Sequence, residues 1–231
     1  MDKNKQLLKQ YSTLNIFGIV DNYNEKTKKR ENKAVYPLFL KTNENYEKAD
    51  KKLMIFGQET NGWGGIYGSG ITVDDVMNEY ENFFNSKYCY IYAGAFWNGV
   101  KHFMNKIKKL SHNDNIDYLW NNIVKMGIDK KGFPSSIYEG IIKPNLNLLI
   151  KIEIELLKPD FIVFFTGPNY DSILDNVFNN PERKKVNGYK ERELCEIIIP
   201  NIKRAFRTYH PNYLYRNNID KFFNVIIKEI M

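Results

Sequence analysis

Cysteine is nearly absent from this 231-residue chain, with Cys89 and Cys195 the only two. That excludes a disulfide scaffold and any four-cysteine zinc or iron–sulfur site. It fits a reducing compartment, so a cytoplasmic location is expected. Histidine is scarce at three. No His, Cys and acid cluster with ligand spacing is visible, so neither a metal nor another cofactor is expected. No apolar run reaches 18 residues, so no transmembrane helix or membrane partner is expected. The opening MDKNKQLLKQYSTLN lacks the apolar core of a signal peptide. No Gly-rich loop ends in Gly-Lys-Ser/Thr, which removes a P-loop. Tyr67-Gly-Ser-Gly70 lacks the glycine that a nucleophile elbow needs two places before Ser69. Internal repeats and low-complexity linkers are missing too.

What is present suits a single domain over residues 1–231, with a core over about 50–215. Apolar residues make up 43% and aromatics 15%. A chain of this length can bury roughly 70–75% of its unfolded surface, so it needs no staple. Lys plus Arg total 34 against 27 for Asp plus Glu, a net charge of +7. That excess favours polyanions. A chain rich throughout in Lys, Asn, Ile and Tyr also reaches it by composition alone.

Four short, continuous apolar runs read as buried parallel strands: LMIFG at 53–57, YLWNNIV at 118–124, FIVFFT at 161–166 and RAFRTY at 204–209. Helical patterns separate them. Thr72 caps a helix running toward Phe84, and residues 95–110 carry one apolar face. Ser136 and Glu139 have capping-box spacing, and residues 146–157, 171–178 and 218–230 complete the helices. The charged stretch 22–34 reads as a solvated loop. The alternation predicts a three-layer α/β/α fold around a short, mostly parallel, four-stranded sheet. In such sheets ligands bind beyond the carboxyl ends of strands. There the chain places Gln58, Glu59, Asn61 and Trp63, then Asn121 and Asn122, then Thr166-Gly-Pro-Asn-Tyr170, and last His210-Pro-Asn-Tyr-Leu214. Polar and aromatic groups gather at one edge, which predicts an active or binding site.

In order and spacing these four pieces resemble the uracil-DNA glycosylase superfamily over roughly residues 50–215. Gly57-Gln58-Glu59 looks like the family's Gly-Gln-Asp strand end, where the carboxylate positions the attacking water and the backbone cradles a uracil carbonyl. The strand with Asn121 and Asn122 is similar to the one whose asparagine reads the base edge, and Asn122, just before Ile123, is the better match. Gly167 corresponds to the glycine beside the base pocket. His210-Pro-Asn-Tyr-Leu214 resembles His-Pro-Ser-Pro-Leu. This implies that His210 hydrogen-bonds the charge growing on the base, that Asn212 lies where phosphate is contacted, and that Leu214 fills the hole left by a flipped base. Trp63 and Tyr67 compete for the role of stacking aromatic. Asn61 stands in place of the tyrosine that bars thymine's methyl group, which loosens the expected selectivity. The resemblance implies a monomeric hydrolase acting on single- or double-stranded DNA that removes uracil or a related damaged base.

The chemistry is of a defined kind. Breaking the C–N glycosidic bond leaves a cationic sugar and an anionic base. A carboxylate that orients water is typically worth about 10²–10⁴-fold, and a donor aimed at the base oxygen roughly 3–4 kcal/mol. Flipping costs a few kcal/mol, part of which stacking at about 1–3 kcal/mol per base offsets. Each residue also has a plain reading: Glu59 as a loop acid or cap, Asn122 as a buried amide, His210 as a turn residue, Trp63 as a lid on the core. A module that binds nucleobases without cleaving them is the rival function. His102 and His112 read as surface or packing residues.

Overall fold

The computed structural model describes residues 2–68, 70–92, 94–111 and 115–231. His112 lies outside them. In chain order the strands are β1 (Ala34–Pro37), β2 (Lys51–Gly57), β3 (Ile116–Asn122), β4 (Met126–Ile128), β5 (Phe161–Phe164), β6 (Arg183–Lys185), β7 (Leu194–Ile197) and β8 (Arg204–Thr208). The longer helices are α1 (Lys3–Ser12), α2 (Ile16–Lys26), α3 (Glu44–Lys48), α4 (Val73–Tyr80), α5 (Cys89–Tyr92), α6 (Gly94–Leu110), α7 (Ser135–Ile137), α8 (Lys143–Leu157), α9 (Asp171–Phe178), α10 (Pro211–Leu214) and α11 (Ile219–Ile230).

The central sheet runs β3-β2-β5-β8-β7-β6. The four expected strands form its parallel part. The sheet has six strands rather than four, because β7 and β6 extend it antiparallel. β6 is the charged tripeptide RKK, only partly covered, so it lacks the apolar signature of a buried strand. A separate two-stranded pair joins β1 to β4.

Side chains alternate across the strands, and helices cover both faces. On one face Asn121 meets Glu153 of α8, and Phe164 meets Phe178 of α9. On the other, Trp120 packs on Trp97 of α6, and Phe165 packs on Phe103 of α6 and Phe223 of α11.

Two local expectations fail. Residues 22–34 are not one loop: Ile16, Val20 and Asn24 recur every fourth residue and are buried, so α2 continues to Lys26. Asn24 then clamps the next segment, its amide donating to the carbonyls of Ala34 and Tyr67 while its Oδ1 accepts from Ala34 N. Ser136 makes no capping box, since α7 opens on Pro134 without a side-chain cap. Thr72 does make one, with Asp75. The buried cluster runs from Leu7 to Ile230. The core is therefore wider than 50–215, because both terminal segments pack into it.

Candidate functional site

Order along the sheet reverses at β2. The chain passes from β2 outward to β3, then returns across β2 to β5 and on to β8. The register pairs Gly57 with Asn122, Phe56 with Phe164 and Phe164 with Arg207. All four parallel strands thus end along one edge, and the order reverses between β2 and β5, the place where sheets of this kind bind ligands. Side chains bridge that divide. Gln58 Nε2 donates to the carbonyl of Thr166 at 2.7 Å. The Tyr170 hydroxyl donates to the Glu59 carboxylate. Gly167 turns the chain between them with φ +76°, a left-handed conformation that favours glycine. Its N–H is tied to the carbonyl of Thr208 at 3.0 Å.

Burial raises the pKa of Glu59, and the Tyr170 hydrogen bond opposes that rise. Burial, followed by the nearby Glu59 charge, pushes the Tyr170 hydroxyl well above its ordinary range. The shared proton therefore stays on the phenol, and Glu59 is the acceptor.

His210 follows β8 and caps α10. The N–H of Asn212 donates to its Nδ1 at 3.1 Å. A neutral imidazole accepting there carries its proton on Nε2, so Nε2–H is the available donor. Desolvation lowers the His210 pKa to about 4, which keeps the ring neutral near pH 7. Phe96 of α6 stacks on the imidazole with centroids 5.8 Å apart and planes 28° apart.

Gly57 ties Phe96 and His210 to Asn122. A Cβ at Gly57 would lie 2.5 Å from Asn122 Oδ1 and 3.1 Å from Phe96, so this strand end is glycine because its neighbours fill the space. The Trp120 indole donates to Asn122 Oδ1 at 3.1 Å and fixes the amide. That presents Nδ2 as a donor at the edge. Asn121 points to the other face and belongs to a buried network. It donates to Glu153 at 2.8 Å and accepts from Lys125 at 2.9 Å, and Glu153 also takes the Tyr11 hydroxyl at 2.7 Å.

Three expected site residues lie elsewhere or are otherwise engaged. Tyr67 is buried, stacked 5.0 Å from Phe17 of α2, with its hydroxyl on the carbonyl of Ile71. The α2 helix claims its ring for the core, so Tyr67 is not a stacking platform at the edge. Trp63 is half-buried in a box with Phe83 and Trp120, at 5.2 and 5.3 Å. Leu214 is 0% exposed. It turns inward from α10 and cannot act as a surface wedge, while its neighbours Asn212 and Tyr213 are exposed. The rings nearest the predicted acid and imidazole are Tyr170 and Phe96. Nothing but their proximity to strand ends and to the Phe96-Trp97 pair singles them out in the sequence.

Two clefts are resolved away from this edge. One of about 540 Å³ lies at the amino ends of β5 and β8 beside Lys151, Phe178 and Lys203. Another of about 350 Å³ flanks the start of β3 beside Lys101 and Tyr118. Neither is lined by Glu59, Asn122 or His210. Among the described residues no group of three or more His, Cys, Asp or Glu is placed to hold a metal, and no helix is long and apolar enough to cross a membrane. No model of a known protein family matches the chain, and no curated protein matches it.

Proposed function

We propose that this chain is a DNA glycosylase that flips uracil or a related damaged base and hydrolyses its N-glycosidic bond. One observation carries the reading: a desolvated carboxylate after β2 and a neutral imidazole with a free Nε2–H after β8 lie at the same carboxyl-end edge of one sheet, with an oriented asparagine amide ending β3 beside β2. In this reading the base lies against Phe96, with Asn122 Nδ2 donating to a base carbonyl. Glu59 orients a water toward the sugar carbon. As the C–N bond breaks, its electron pair leaves with the base and His210 Nε2–H donates to the oxygen that gains charge. The water oxygen bonds to the sugar and its proton passes to Glu59. Catalysis first requires Tyr170 to leave Glu59.

That same Tyr170 contact favours a second reading, a module that binds a nucleobase with its acid occupied. Incubation with uracil-containing single- and double-stranded oligonucleotides, followed by alkali, separates the two. Excision gives strand breaks that fall by about 10²–10⁴-fold in Glu59→Gln and by roughly 10²-fold or more in His210→Gln. Binding with no breaks at any damaged base, unchanged in Glu59→Gln, leaves the module.

A further inference from the structure

We infer that the face around this edge is a binding track for single-stranded rather than duplex DNA. The inference rests on the reading of the edge as a nucleobase site. A duplex reader that extrudes a base needs something to occupy the gap, and Leu214, the residue to which the resemblance assigns that task, is 0% exposed and committed to the core. The same short segment instead turns Tyr213 and Tyr215 outward, at 40% and 46% exposure. Phe133, beside Tyr170, is 40% exposed.

Two of these rings, Phe133 and Tyr213, connect to the site through its neighbours. Phe133 meets Tyr170 edge-on at 6.1 Å, and Tyr170 holds Glu59. The Gly167 turn approaches Tyr209, whose ring lies 4.1 Å from that of Tyr213. Phe133 thus reaches the acid through Tyr170, and Tyr213 lies three residues after His210, against Tyr209. Cations lie close to this face in the chain or in space. Lys131 precedes Phe133 by two residues, Arg216 follows Tyr215, and Arg192 reaches Asn169 beside Tyr170 at 3.4 Å. All three cations are exposed. Rings that stack on bases without reading them, interleaved with cations for the backbone, are what an unpaired strand requires. In a duplex the base faces are already stacked, and such rings gain nothing.

Fluorescence anisotropy with a labelled, uracil-free oligothymidine and a blunt hairpin duplex of similar length tests this. The single strand is expected to bind at least tenfold more tightly. Tyr213→Ala and Phe133→Ala each weaken single-strand binding by about tenfold, whereas Tyr213→Trp retains it. Arg216→Gln lowers the slope of log K against log salt by about 0.7, the value for one phosphate on a single strand. Thermal melts of each variant show that the fold persists. Equal affinity for the two nucleic acids, binding to neither, or alanine variants that bind like the parent would overturn the inference. Base excision accompanied by equal affinities would keep the proposed function and discard this track. Tight, tyrosine-dependent single-strand binding without excision of any base would do the reverse.

Discussion

His210 is uncharged near pH 7. Its pKa is pulled to about 4 by desolvation, against an ordinary 6.5. The folded protein therefore binds this proton less readily than the unfolded chain does. Stability from the neutral ring is fully present above about pH 6.5 and is lost as pH falls toward 4. The loss is on the order of 2–3 kcal/mol. Urea unfolding at pH 7.5 and pH 4.5 is expected to show the parent losing about 2 kcal/mol more than His210→Gln over that interval. Equal losses would mean that the imidazole is not desolvated in solution. Glu59 titrates in the opposite sense, since burial raises it and Tyr170 restrains the rise. In the proposed reaction Glu59 must be ionised to orient water, so it rather than His210 would set the acid limb of excision. In Tyr170→Phe the restraining hydrogen bond is gone, and the acid limb is expected to move to higher pH. The pH dependence of kcat/KM from pH 4 to pH 8, which reports the free enzyme where Tyr170 holds Glu59, checks this, and an unmoved limb would separate Tyr170 from the acid's titration.

At the scale of elements, β3 shows how two adjacent asparagines divide their work. Alternation sends Asn122 to the face it shares with Trp120 and Asn121 to the opposite face, into the buried network with Lys125, Glu153 and Tyr11. Lys125 and Glu153 are both 0% exposed and lie 2.7 Å apart. Burial lowers the Lys125 pKa while Glu153 opposes that shift. The pair ties α1, β3 and α8 together beneath the site. Removing one charge strands the other, at a cost of about 3–5 kcal/mol, whereas replacing both with apolar groups is often neutral. Glu153→Gln is thus expected to lower unfolding free energy by several kcal/mol. Lys125→Met with Glu153→Leu recovers most of it, as a urea double-mutant cycle would measure; a double variant as unstable as the single would show that the network does more than balance charge. The parallel strands and their polar ends were legible because continuous apolar runs break abruptly into Gln58-Glu59 and His210-Pro211. The choice between Asn121 and Asn122 was only weakly legible, since facing depends on register with β2. Leu214 and Tyr67 misled for a related reason: a local pattern names an aromatic or apolar residue, but distant packing decides which way it points.

For the molecule as a whole, the terminal segments are part of the domain rather than attachments to it. Leu7 and Tyr11 of α1 and Ile16 and Val20 of α2 are at most 1% exposed. Side chains fasten this region to later backbone. Asn4 exchanges two hydrogen bonds with Thr42, and the Tyr11 hydroxyl accepts from Leu40 N. Burying a large apolar side chain contributes about 1.5–3 kcal/mol. Four such side chains therefore match much of the 5–15 kcal/mol by which typical domains are stable. Loss of α1 and α2 would also uncover Tyr67 and one side of the Lys125–Glu153 pair. A chain beginning at residue 27 is accordingly expected to lose cooperative thermal unfolding by circular dichroism, and excision and oligonucleotide binding with it. A sharp transition at an unchanged midpoint would show instead that the sheet and its edge stand without their N-terminal cover.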